Sequence, residues 1–150
     1  MAYITKEQLS ERLGATLYAR LTDRVQGATA NDSVGQELVE AAEAEANSYL
    51  ARRYATPVDV GAHPEVLTVL RARVLDVAEY LAWKGSPFVS DPPQRVHALY
   101  AGALRWLEQV AAGQVALPAA APPAGSTGQP DGPRYVATPR RFTAEELEGL

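Results

Sequence analysis

Between Val66 and Trp83 apolar residues fall at positions 66, 67, 69, 70, 74, 75, 77, 78, 81 and 82, with no proline or glycine among them. Spacings of three and four over five turns specify an α-helix. The apolar arc covers well over half the circumference. A helix of that kind cannot lie on a wet surface: it must be central in its domain or covered by neighbouring subunits. Pro64 opens it at the first helical position, where a missing N–H costs nothing, and Lys84-Gly85-Ser86-Pro87 closes it.

The segments around this helix share its period. Thr5 and Gln8 form a capping box, with Ile4 and Leu9 at the staple positions, so a first helix runs to Gly14. Leu13, Leu17 and Leu21 predict a second short turn of helix ending near Asp23-Arg24, followed by a polar loop from Gly27 to Asp32. Ser33 and Gln36 form another box, opening a long helix to about Tyr54 that ends before Thr56-Pro57. Its inner stripe is Leu38, Ala42, Ala46, Tyr49 and Leu50; Glu37, Glu40, Glu43 and Glu45 suit a solvated opposite face. A final helix is expected over Gln94–Ala112, with Val96, Leu99, Tyr100, Ala103, Leu104, Leu107 and Val110 inward and Gly113 as its stop. The expected fold is all-α, a small bundle of about four helices.

Beyond Gly113 the composition changes. Residues 116–133 hold five prolines and three glycines and no residue larger than leucine, too little apolar surface to offset chain entropy. Apolar character returns at Tyr135-Val136, Phe142 and Leu147, and Thr143 with Glu146 is a third capping box. The division is a helical domain over 1–113, a Pro/Ala/Gly-rich linker over 114–133 and an extended C-terminal docking arm over 134–150. In the arm, Arg140 and Arg141 beside Phe142 join charge to an aromatic anchor, residue types enriched in binding hot spots. Arg52-Arg53 beside Tyr54 could contact phosphate or a partner's acidic groups, or simply suit the C-terminal end of their helix.

Charge and chemistry exclude several classes. There are 11 basic and 14 acidic residues up to Gly113, and 3 and 4 beyond it, for a net charge of −4. No segment carries the cation excess that neutralises a phosphate backbone, which argues against a small helical DNA-binding regulator. With no cysteine there is no disulfide, thiolate metal site or Cys nucleophile. His63 and His97 lack i,i+4 ligand partners, so no metal or cofactor is expected. No G-x-S-x-G, Walker loop or G-x-G-x-x-G occurs, and the chain is not expected to be an enzyme. The first residues lack the features of a signal peptide, and no apolar run is long enough to span a membrane, so a soluble protein is expected.

The order of these landmarks resembles a known family. Met1-Ala2-Tyr3-Ile4-Thr5 with Leu9 and Leu13-Gly14, then Leu21-Thr22-Asp23-Arg24, is similar to the start of small virion proteins of Mu-like phages and prophages. So are Ala46-Asn47-Ser48-Tyr49-Leu50-Ala51-Arg52-Arg53-Tyr54 before Pro57, Pro64, Arg95-Val96 leading to Tyr100 and Ala103, and the terminal Arg141-Phe142-Thr143 and Leu147-Glu148-Gly149-Leu150. The chain departs from the pattern at Asp76-Val77-Ala78-Glu79-Tyr80.

The resemblance implies a head–tail connector of the virion neck, assembled in the host cytoplasm. Such an adaptor is a homo-oligomeric ring, a dodecamer if it matches the portal above it. It touches the portal protein and stopper or tail proteins, and genome DNA passes through its lumen without specific binding. On that reading Arg140, Arg141, Phe142, Leu147, Arg52 and Arg53 contact partners, and Glu40 and Glu43 line the channel, repelling phosphates. A stopper or tail-completion protein is the nearest alternative.

Overall fold

A computed structural model describes residues 2–117; the expected linker beyond 117 and the arm, with Arg140, Arg141, Phe142 and Leu147, lie outside the described residues. Five helices follow one another: α1 Lys6–Leu13, α2 Ala15–Thr22, α3 Asp32–Leu50, α4 Pro64–Gly85 and α5 Gln94–Ala111. Among the described residues there is no strand, as the 3.6-residue period requires. The expected short turn around Leu17 is a full helix, α2. Gly14 separates it from α1 by adopting φ +82°, donating its N–H to Ser10 and accepting from Tyr18. One residue thus ends one helix and starts the next at an angle.

Helices α3, α4 and α5 pack on one another, and α1 and α2 close over α3 and α4. Phe88 packs against Gly27, and Ser86 donates to the Arg20 carbonyl, so the α4–α5 connection lies beside the end of α2 and the loop that follows it. Arg53 packs against Gly113, and the Leu117 N–H donates to the Tyr54 hydroxyl at 2.9 Å, which brings the end of α5 to the end of α3. The bundle therefore has a loop end, formed by residues 23–31 and 86–93, and an exit end, formed by 51–63 and 112–117.

The breadth of the α4 arc is accounted for within one copy. Val66, Leu70, Val74, Val77, Ala78 and Ala82 are buried, and Leu67, Leu75, Leu81 and Trp83 pack partly against the core. Only Val69, 42% exposed, stands out as a large apolar residue of this helix facing solvent. Of the two expectations for α4, the structure realises the central helix. The surplus apolar surface expected to require neighbouring subunits is not there.

Two boundaries differ from expectation. Helix α3 starts at Asp32, not after Ser33, because Asn31 Oδ1 accepts from the N–H groups of Ser33 and Val34. Asparagine caps as well as serine does, and Asp32 then sits in the first turn, where the dipole favours an anion. The Ser33–Gln36 box is not formed; Gln36 donates to Glu40 instead. The same helix ends at Leu50, four residues early. A tight turn follows, with Arg53 and Tyr54 both donating to the Leu50 carbonyl, and it tucks Tyr54 inward.

Candidate assembly surfaces

The four glutamates of α3 do not form a free solvated face. Glu43 is half-buried, and its Oε1 accepts the N–H groups of Tyr3, at 2.5 Å, and Ile4, at 3.0 Å. The same anchor continues through the Tyr3 hydroxyl, which donates to Asn47 Oδ1 and accepts from the Val58 N–H, each at 2.7 Å. Burial raises the Tyr3 pKa. Glu43 therefore fastens residues 3 and 4 to α3 instead of standing free on a solvated helix face. Glu45 accepts from Tyr100 at 2.9 Å, Glu37 lies 3.5 Å from Arg24, and Glu40 accepts from Gln36 at 3.0 Å. Only Glu37 and Glu40 of the four are exposed.

Glu40 belongs to an acidic surface shared by α1 and α3. Shallow clefts there are lined by Lys6, Glu7 and Glu11 on one side and by Asp32, Glu37 and Glu40 on the other. Lys6 is bonded to Asp32 at 2.8 Å, so the uncompensated charge is negative. Such a surface repels phosphate and suits a basic partner.

Arg52 and Arg53 sit together on the surface of the exit end. Their environments differ. The Arg53 guanidinium lies where a Cβ on Gly113 would sit, against the terminus of α5, while Gly113 itself holds φ +78°. A cation there complements the helix dipole, so Arg53 has a structural role. The structure brings neither arginine near Glu40, which lies on the α1–α3 side.

A polar group that sequence reasoning missed lies inside the bundle. Arg12 of α1 donates Nη2 to Asp76 at 2.5 Å and Nε to Glu79 at 2.7 Å, and both carboxylates are buried on α4. Arg73 approaches Asp76 at 3.8 Å. Burial disfavours the Arg12 charge, but the bonds to the two carboxylates outweigh it and raise its pKa. The signal was present: two acids three residues apart within an otherwise apolar arc require a cation from another helix.

The histidines bring no ligand set together. His63 Nδ1 lies 3.6 Å from Glu65, and the His97 ring meets Tyr80 edge-on at 5.3 Å. Among the described residues, no group of three or more metal-binding side chains converges. No helix described is long and apolar enough to cross a membrane.

Aromatic packing instead links α4 to α5. Tyr80 stacks on Tyr100 with centroids 3.9 Å apart, and Lys84 lies 5.7 Å above the Tyr80 ring. Burial, then the bond to Glu45, pushes the Tyr100 pKa up to about 12.

At the loop end two large apolar side chains face solvent, Val25 at 81% and Phe88 at 39% exposure. They share one tip, since Phe88 lies over Gly27, where an added Cβ would stand 3.2 Å from its ring. Asp23 organises the tip: its carboxylate accepts from the backbone N–H groups of Val25, Gln26, Ala28 and Thr29. Those four bonds hold its pKa well below the usual carboxylate range.

No curated protein matches this chain. The profile of a family described as bacteriophage Mu, Gp36 matches residues 3–132. That span takes in all five helices of the described residues and nearly all of the Pro/Ala/Gly-rich segment but stops before residues 134–150, so the terminal part of the resemblance lies outside it. With most of its length matched, the chain belongs to the bacteriophage Mu Gp36 family.

Proposed function

We propose that this protein is a non-enzymatic structural component of a Mu-like virion, a head–tail connector that forms a ring beneath the portal and continues the DNA channel toward the tail. Membership of the Mu Gp36 family over residues 3–132 carries this reading. The five-helix body supports it, because its buried charges are spent on tying helices together. The acidic α1–α3 surface with Glu40 suits a lumen wall that lets genome DNA slide past. Portal above and stopper or tail proteins below are the partners, and Arg52 and the arm residues Arg140, Arg141, Phe142 and Leu147 are the contacts. The ring has the portal's twelvefold order.

The position of this chain in a reconstruction of the intact particle tests the proposal. Density for the five-helix body in a ring directly below the portal is expected. Density at the tail tip, or none in the particle, overturns it. Short of that, the purified protein mixed with portal should gain the mass of a ring, and the protein alone should not be retained on heparin at low salt.

A further inference from the structure

We infer that in the free protein the C-terminal arm, residues 134–150, docks on the Val25–Phe88 tip of its own chain. The inference does not depend on the connector reading. The tip is a preorganised apolar knob: four N–H bonds to Asp23 fix the loop, and Phe88 is seated on Gly27. Holding Val25 at 81% exposure in a fixed loop has a hydrophobic cost that a docked apolar side chain removes. The arm supplies such side chains in Phe142 and Leu147.

Charge gives the pair an orientation. Exposed Arg20, in the last turn of α2, precedes the tip in the chain and exposed Asp91 follows Phe88, while Arg24 is already engaged by Glu37 at 3.5 Å. The arm is bipolar in the same sense, with Arg140 and Arg141 before Phe142, and Glu145, Glu146 and Glu148 around Leu147. Laid with its acidic end toward α2, the arm meets an opposite charge at each end.

Reach selects the same chain over another copy. The described chain leaves the bundle at Leu117, pinned to Tyr54 at the exit end. The 19 residues of α3 separate that end from the tip by about 28 Å. The roughly 24 residues from 118 to Phe142 can span at most about 80 Å of chain, so the tip lies within their reach. A tether that reaches its site makes docking intramolecular and independent of protein concentration, which favours the same chain over other copies in a dilute solution.

The full-length chain tests this directly, because it has no cysteine. A nitroxide on Ala137→Cys would be read out as paramagnetic broadening of backbone amides. Selective broadening at residues 25–28 and 87–90 is expected, unchanged on tenfold dilution and abolished by Phe142→Ser with Leu147→Ser. Charge reversal of Glu145 and Glu146 to lysine should weaken it severalfold. Even broadening over the body, or broadening centred on the exit end, overturns the inference. So does broadening that appears in a mixture of spin-labelled and isotope-labelled chains, which would place the arm on another copy.

Discussion

Two buried tyrosines show how much a hydroxyl's surroundings decide. The Tyr3 hydroxyl joins Asn47 to Val58, whereas the Tyr18 hydroxyl is enclosed against Gly35 and makes no hydrogen bond among the described residues. Tyr3→Phe leaves the Val58 N–H unpaired and should cost about 1–3 kcal/mol. Tyr18→Phe removes a hydroxyl that gains nothing from its site, so stability should stay level or rise by about 1 kcal/mol. Urea midpoints of the two variants check the contrast, and an equal loss in both would contradict it. Neither role was legible in the sequence, where Tyr3 read as part of an opening motif and nothing singled out Tyr18. Hydroxyl partners come from chain crossings between distant segments, 44 residues apart for Asn47 and 55 for Val58, which no local pattern encodes. Tyr100 adds a pH dependence. Its pKa rises from 10.0 to about 12 on folding, so the stability it contributes is present below pH 10 and lost as pH climbs toward 12. The stability difference between the wild type and Tyr100→Phe should shrink across that interval, measured as urea midpoints at stepped pH.

At the scale of elements, local chemistry was readable and tertiary choice was not. The Thr5–Gln8 box, Pro64 at the first turn of α4 and Gly113 after α5 stand where propensity placed them, because each acts within one turn of chain. The start of α3 went to Asn31, a cap as good as Ser33 whose own N–H also donates to the Thr22 hydroxyl. Charges on helices were the least legible, since an acid on a wet face and an acid reaching another element have the same spacing. Glu43 and the Arg12–Asp76–Glu79 group are of the second kind. Arg12→Met would leave Glu79 buried without its cation and Asp76 with only the more distant Arg73, at an expected cost of about 3–5 kcal/mol. Combining Arg12→Met with Asp76→Leu and Glu79→Leu should recover most of that loss, since a packed apolar trio needs no compensation. Thermal midpoints of the single and triple variants decide between a group that is needed as a set and one that contributes nothing.

For the whole molecule, the fold class followed from one period repeated between breakers, but the reason to assemble did not. An apolar arc as wide as that of α4 can be covered by sequence neighbours or by other subunits, and only the placement of α1, α2, α3 and α5 around it resolves the choice. Since one copy buries that arc, the drive to form the proposed ring cannot be the core left over from α4. It falls to smaller features: the Val25–Phe88 tip, Val69, the acidic α1–α3 surface and the arm. This sharpens what removal of residues 134–150 should do. The core that joins the five helices is built from residues between Tyr3 and Leu117. The helical circular-dichroism signal of the truncated body should therefore match that of the full chain closely. Ring assembly with portal should be lost, because the arm holds the aromatic and arginine anchors of the proposed interface. Sedimentation of the truncated and full-length proteins with portal separates the possibilities. A truncated chain that still forms rings at the same concentration would assign assembly to the body's own surfaces and remove the arm from the connector's working parts.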